Sequence, residues 1–262
     1  LRLEDKEEAP YIMAVITDDN GNVIKKIKRS AKKGMVRFSW NGRLEKTSPI
    51  SFHTPDPDNP YEGDDNGPMA VPGNYKIYLT KVINGVSEKL TEPVSFKIKS
   101  LHEPSLTVDV NNLAAFNKRL SESRRLVLAS ATYLGELKDK MKYIKEAVKN
   151  TPNAPSNLLT DVKSIEDGLD RLAVSFNGDA SLAKREFETL SGLTGLLENI
   201  VWNLWATTVQ QTGTYESKLN DIEKKFNIAY DELKRVNQQV EDLEKKLEDL
   251  DAPYTPYRFP EK

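Results

Sequence analysis

Residues 219–250 read LNDIEKKFNIAYDELKRVNQQVEDLEKKLEDL, and they indicate the architecture of the C-terminal half of the chain. Every seventh residue from Leu219 is apolar, as is every seventh residue from Ile222, and the positions between are mostly charged or amide side chains. This spacing forms one apolar stripe on a long helix, which must pack against other helices. The stretch therefore predicts packing, and it carries no reaction chemistry of its own.

Three further amphipathic segments precede this helix, each with apolar residues at helical spacing. Asn150-Thr-Pro and Asn177-Gly178 separate them, because proline and glycine end helices. The predicted helices cover residues 111–149, 157–176, 181–211 and 214–250. Their short connections predict an antiparallel four-helix bundle over residues 105–262. The prolines of residues 251–262 predict a tail that is not helical.

The N-terminal part shows the signals of β structure instead. Asn20-Gly21 and Asn84-Gly85 are hairpin turn signals, because type I′ turns need positive φ at both central residues. Strands are predicted over residues 11–17, 23–27, 35–40 and 74–80, with two more ending near Ile98. A loop rich in proline and aspartate covers residues 43–73. The pattern predicts an antiparallel β-sandwich over residues 1–104, and the whole chain is therefore α+β and multidomain.

Composition narrows the function classes. The chain has 262 residues, a formal net charge of −2 and no cysteine. The lack of cysteine excludes disulfides, thiolate metal sites and cysteine nucleophiles. We expect no nucleic-acid partner, because no basic field covers the chain, and no membrane insertion, because the most apolar stretch, 193–209, holds a Glu and two Asn. Since the chain begins at Leu1, we interpret it as part of a longer or processed polypeptide.

The best metal candidates are five acidic residues in the proline-rich loop: Asp56, Asp58, Glu62, Asp64 and Asp65. Calcium prefers clustered carboxylate oxygens, but the spacing differs from an EF-hand, and we favour a solvated acidic loop over a calcium site. His53 and His102 are too few for a typical zinc site. No nucleophile elbow, phosphate loop or dinucleotide motif occurs, so we expect no catalytic residue and no cofactor.

Interaction surfaces are the remaining candidates. Trp202 and Trp205 lie three residues apart and widen the stripe of the third helix; we favour burial, with a docking surface as the alternative. The last helix is longer than the second can cover, which leaves its distal end as a candidate contact for a second copy: Val240, Leu243, Leu247 and Leu250. A basic run covers residues 25–33 on a predicted edge strand. Lysines on an edge strand prevent pairing between molecules, and we favour this role over nucleic-acid binding.

Three segments carry a family resemblance: residues 16–24 (ITDDNGNVI) followed by 34–41 (GMVRFSWN), residues 67–80 (GPMAVPGNYKIYLT) and residues 252–256 (APYTP). In this order they resemble the C-terminal region of large bacterial proteins with sortilin-like (VPS10-like) BNR/Asp-box β-propellers, often labelled glycosyl hydrolases. The resemblance spans almost the whole chain, although Asn41 stands where that family often has Asp. The Asp-box pattern itself is absent from this chain, so none of the propeller's functional residues can be carried over to it.

The resemblance implies an immunoglobulin-like sandwich followed by the helical region. It also implies a non-catalytic accessory region that packs against or tethers an upstream propeller in a larger periplasmic or secreted protein, with any export signal upstream of Leu1. One alternative is a carbohydrate-binding region of a glycoside hydrolase, with Trp40, Tyr75 and Tyr78 as aromatic candidates, although their spacing suits a core equally well. Another alternative is homo-oligomerisation through the last helix.

Overall fold

The computed structural model describes residues 1–2, 4–54, 56, 58–59, 65–101 and 108–259, which form an α+β protein. The chain divides into two compact units. Unit 1 comprises residues 1–47, 53–121 and 203–211, and unit 2 comprises residues 48–52, 122–202 and 212–262. The predicted domain boundary at residues 104 and 105 falls inside unit 1, and it stays a prediction.

Unit 1 contains one antiparallel sheet of five strands. The strands are β1 (Tyr11–Asp18), β2 (Val23–Ser30), β3 (Gly73–Ile83), β4 (Val86–Lys89) and β5 (Val94–Ile98). The order is β2-β1-β3, and β4 and β5 pair with different parts of the far edge of β3. The turn between β3 and β4 is Asn84-Gly85, and both residues have the positive φ, 47° and 78°, that their sequence predicts.

The predicted strand at residues 35–40 is wrong, because the structure gives this segment no strand pairing. The side chain of Trp40 instead anchors the C-terminal end of this segment. Trp40 packs edge-on against Tyr75 and Phe96, with ring centroids 6.1 Å from each, and its indole N–H donates to the Arg43 carbonyl at 2.8 Å. The described residues therefore form one sheet. A sandwich requires a second sheet, and the described residues do not form one.

Unit 2 is helical, and α1 contributes to both units. The helices of the chain are α1 (Val110–Asn150), α2 (Asn157–Asn177), α3 (Ala180–Ala183), α4 (Leu193–Leu204) and α5 (Gly213–Glu248). Both seven-residue series of α5 are buried as far as Leu247, and Leu250 is half-buried. Burial of each such side chain contributes about 1.5–3 kcal/mol. The stripe of α5 therefore supplies much of the core of unit 2, as its sequence predicts.

The third predicted helix, residues 181–211, is wrong as a single element. Two helices replace it, α3 and α4, with residues 184–192 between them. Asp179 caps the first turn of α3, accepting from the Ser181 and Leu182 amides at 2.9 and 3.2 Å. Glu186 then adopts a φ of 60°, which a continuing helix does not allow. An antiparallel four-helix bundle accordingly stays a prediction, although α2 and α5 do pack together.

A close backbone approach holds the start of α4 against the end of α2. A Cβ added to Gly192 would lie 2.5 Å from both the Gly178 nitrogen and the Phe176 oxygen. The neighbouring Thr194 hydroxyl donates to the same Phe176 oxygen at 2.8 Å. Only glycine fits at residue 192 without displacing this backbone.

We expect Gly192→Ala to lower the free energy of unfolding by about 1–3 kcal/mol, because the added methyl group forces the backbone apart. Gly135→Ala is the matched control, since a Cβ at this exposed position in α1 meets nothing within 4 Å. The control should raise stability by about 0.5–1 kcal/mol through helix propensity. Chemical denaturation followed by circular dichroism measures both changes, and equal effects of the two variants would contradict the close approach.

Candidate functional site

Unit 1 contains a groove of about 530 Å³ beside the start of β2. The first turns of α1 supply one wall, through Ala114, Ala115, Asn117 and Lys118. An aliphatic wall is formed by Val23, Ile24, Leu44, Met69 and Val71, and polar residues also line the groove, among them Asp18, Asn20, Asn22, Glu45 and Thr47. Ligand sites are typically concave, largely apolar and about 300–1,000 Å³ in volume. This feature, called the α1 groove below, therefore has the size and lining of a binding site.

A short ribbon of backbone supports the aliphatic wall. The Leu44 amide donates to the Pro68 oxygen at 2.9 Å, and the Ala70 amide donates to the Gly42 oxygen at 2.8 Å. Gly67 is required in this ribbon, because a Cβ there would lie 2.3 Å from the Glu45 oxygen. The sequence predicts a long loop at residues 43–73, and the structure gives part of that loop a fixed shape at the groove.

Asn117 is the one polar side chain of the groove that combines deep burial with an unsatisfied atom in the described residues. The residue is 6% exposed, and its Oδ1 has no hydrogen-bond partner. A buried acceptor that lacks any donor costs about 1–3 kcal/mol. An acceptor without a partner in the folded chain takes its donor from a ligand group or from an ordered water.

Asn117 is not among the site residues predicted from the sequence, although the sequence contains a signal for it. It stands four residues after Leu113 and three before Leu120, on the buried side of α1. Arg124 occupies the equivalent position one heptad later, and it is also buried. Its guanidinium has a partner within unit 2, since Nε lies 2.7 Å from Glu198 Oε1. A polar residue within an apolar stripe is therefore a usable signal, and the structure then separates the satisfied residue from the unsatisfied one.

The two carboxylates of the groove are engaged in local structure. Asp18 accepts from the backbone and the side-chain amide of Asn22, both at 2.8 Å. Glu45 accepts from the Lys26 amide at 2.7 Å and pairs with Lys25 at 3.1 Å. These carboxylates hold a turn and a strand edge in place, which is a structural task.

Tyr75 also lines the groove; it is buried, and its hydroxyl donates to the Val71 oxygen at 2.6 Å. Burial raises the pKa of the Tyr75 phenol above its ordinary value, and the nearby Asp18 carboxylate raises it further. Both causes disfavour the charged phenolate. The folded state therefore binds this proton more tightly than the unfolded state does.

The raised pKa makes stability depend on pH in the alkaline range. The contribution of Tyr75 is fully present below its unfolded pKa, about 10, and is lost as pH rises through the higher folded pKa. We expect wild type to lose more stability than Tyr75→Phe between about pH 9 and about pH 11. At pH 7 the variant should be less stable by about 0.5–1.5 kcal/mol, through loss of one hydrogen bond. Urea denaturation across this pH range measures the effect, and parallel pH profiles would contradict it.

The basic run lies on β2 as far as Arg29 and continues beyond the strand to Lys33, and β2 is an edge strand as predicted. The Glu45 amide donates to the Ile24 oxygen at 3.0 Å, and Arg29 Nη1 donates to the Lys28 oxygen at 3.0 Å. Lys28 Nζ also lies 3.9 Å from the centroid of the Tyr11 ring. The first two contacts occupy backbone oxygens of the free edge through Glu45 and Arg29, and the protective role expected of the edge lysines stays a prediction.

The calcium candidates fall on a stretch that the structure describes in part. Asp56, Asp58 and Asp65 are described, whereas Glu62 and Asp64 lie outside the described residues. The Asp56 carboxylate accepts from the Asp58 amide at 2.9 Å, which is a local turn bond. Among the described residues, no group of three or more His, Cys, Asp or Glu is placed to hold a metal ion.

The two tryptophans do not share a face, because α4 ends at Leu204, before the second of them. Trp205 is 3% exposed in unit 1, and its carbonyl accepts a hydrogen bond from Arg43 Nη1. Trp202 is 85% exposed in unit 2. Burial, which we favoured for both tryptophans, is therefore correct for Trp205 alone. Trp202 is exposed, as a docking surface requires.

The candidate oligomer contacts at the end of α5 are covered by the chain itself. Val240, Leu243 and Leu247 are at most 2% exposed, and Leu250 is half-buried. Beyond the helix the tail folds back, because Arg258 lies 2.9 Å from Glu248 and donates to the Ala252 oxygen at 3.0 Å. The apolar stripe that was a candidate contact for a second copy is therefore covered within unit 2.

The exposure of the two tryptophans predicts opposite effects of truncation. Trp205→Ala should lower the free energy of unfolding by about 3–5 kcal/mol, because it empties a buried site. Trp202→Ala is the control on the neighbouring turn, and it should change stability by no more than about 0.5 kcal/mol. Thermal and urea denaturation measure both variants, and a large loss in Trp202→Ala would contradict the exposure of that side chain.

The aromatic candidates for glycan binding are used mainly in packing. Trp40, Tyr75 and Phe96 form one cluster, with the Tyr75 and Phe96 rings stacked at 5.8 Å. Tyr78 lies separately on β3 and is half-buried, with Lys89 Nζ 6.0 Å from its ring centroid. The three predicted residues therefore do not form one aromatic platform.

Comparisons of the chain with protein-family models, with curated proteins and with solved structures find no match. The resemblance to the C-terminal region of sortilin-like propeller proteins therefore stays a prediction. A separate property concerns membranes: within the described ranges, no helix combines the length and the apolar character needed to cross a bilayer.

Proposed function

We propose that this chain is a non-catalytic interaction module, and that the α1 groove is its principal contact site. The observation that carries the proposal is the lining of the groove, which is largely aliphatic and contains a buried carboxamide oxygen without a partner. Its two carboxylates are bound to Asn22, Lys25 and Lys26. A lining of this kind offers binding energy and places no acid and base across a cleft.

The partner that we propose is the upstream β-propeller of a larger bacterial polypeptide, in a periplasmic or secreted protein. This part rests on the three resembling segments, of which residues 16–24 and 67–80 contribute side chains to the groove. In this proposal the sheet of unit 1 belongs to an immunoglobulin-like sandwich, and unit 2 is an antiparallel four-helix bundle. Trp202 is a second candidate contact, since tryptophan is enriched among residues that dominate interfaces.

Glycan binding and homo-oligomerisation are weaker proposals. The aromatic side chains proposed for glycan contact pack on one another, and the stripe proposed for oligomerisation is buried. No observation on the described residues favours either over the interaction module.

The proposal is tested by hydrogen–deuterium exchange of this chain alone and within the natural polypeptide that carries it. We expect amides of residues 20–24, 44–47 and 114–121 to exchange more slowly in the longer polypeptide, because a docked partner excludes water and suppresses local opening. Amides around Gly135, on an exposed turn of α1, serve as the internal control and should not change. Identical exchange at the groove in both samples would overturn the docking site, and hydrolysis of a glycoside by the chain alone would overturn the non-catalytic assignment.

A further inference from the structure

We infer that the α1 groove binds an extended, uncharged and apolar peptide segment, whose backbone N–H donates to Asn117 Oδ1. The inference rests on the proposed function, because it names the chemistry of the partner at the same site. Three properties of the groove support it: the unsatisfied carboxamide, the balance of charge and the closed edge of β2.

The carboxamide favours an amide as its partner. Asn117 lines the groove, and its enclosed Oδ1 lacks a donor within the described structure. Because Oδ1 is enclosed, a ligand in the groove reaches it after rotation about the Cβ–Cγ bond, which exchanges the positions of Oδ1 and the Nδ2 amino group. The N–H of a peptide group then donates to Oδ1.

The balance of charge favours an uncharged ligand. Asp18, Glu45 and Lys118 line the groove, and Lys25 is paired with Glu45. The formal charges of these four side chains cancel. A ligand with a net charge would lose hydration at an apolar site that offers it no excess of opposite charge. The backbone and aliphatic side chains of a peptide carry no such penalty.

The edge of β2 determines how a peptide can be held. The Ile24 oxygen already accepts from the Glu45 amide, and the Lys26 amide already donates to the Glu45 carboxylate. A peptide therefore cannot add to β2 as a further strand at this point, because the backbone groups that a ladder needs are taken. It is held instead by one amide at Asn117 and by apolar contacts with Val23 and Met69, both of which line the groove.

The probes that test the inference are N,4-dimethylpentanamide and methyl 4-methylpentanoate, titrated into ¹⁵N-labelled protein. Both carry the same branched alkyl chain, and the ester replaces the only N–H of the amide by oxygen. We expect both to shift resonances of Ile24, Leu44 and Lys118, with the amide binding about tenfold more tightly, because only the amide satisfies the buried acceptor.

Asn117→Leu separates a binding role from a role in folding. The variant keeps the branching and the number of heavy atoms of the side chain and removes the acceptor, so the two probes should bind it within about twofold of each other. Asn111→Leu is the matched control, being the same change at an exposed position of α1 outside the groove lining. The control should keep the tenfold preference for the amide.

Three results would overturn the inference: probe shifts that fall outside the groove, equal affinity of the two probes for wild type, or an amide preference that survives in Asn117→Leu. If one of these appears while the groove is still protected in the longer polypeptide, the interaction module stands and the peptide chemistry is wrong. If the probes behave as expected while the groove amides exchange identically in both samples, the groove binds a separate peptide and the proposed propeller contact is wrong.

Discussion

Burial of the apolar stripe of α5 is the constraint on which the helical part of the molecule depends. A helix of this length cannot leave two continuous apolar series in water, so the other helices of unit 2 must cover it. Leu219, Val236 and Leu247 are completely buried. Ion pairs at the border of the stripe, such as Lys140 with Glu244 at 2.7 Å, align neighbouring helices without adding to the core. The same burial removes the stripe from the surfaces available to a second copy.

Unit 1 is organised by a different constraint, the need to close the free edge of β2. The Glu45 backbone and carboxylate both bond to that edge, at Ile24 and Lys26. This contact holds Glu45 against the strand, and residues 42–45 bond in turn to residues 67–70. Leu44 and Met69 of this ribbon line the α1 groove together with the first turns of α1. The segment that covers the sheet edge therefore also forms part of the groove.

Local signals in the sequence predict much of the fold. The spacing of α5 and the Asn84-Gly85 turn each act over a few residues, and the structure has both as predicted. The break between α3 and α4 could not be predicted in this way, because it depends on Gly192 meeting the backbone of Phe176, sixteen positions earlier in the chain. The strand expected at residues 35–40 fails for a related reason. Apolar and polar residues do alternate in this segment, but Trp40 packs against the side chains of Tyr75 and Phe96, which are distant in the sequence.

The candidate site was harder to predict than the fold, because no single residue of it is unusual. Asn117 looks ordinary until the structure shows that Arg124, one heptad later, has a partner whereas Asn117 Oδ1 has none. The central claim is that this carboxamide is kept for a ligand at a cost to the free protein. The unfolding free energy of Asn117→Leu without ligand tests it most directly. We expect an increase of about 1–3 kcal/mol over wild type, and a decrease of that size would show that Asn117 serves the fold and would contradict the claim.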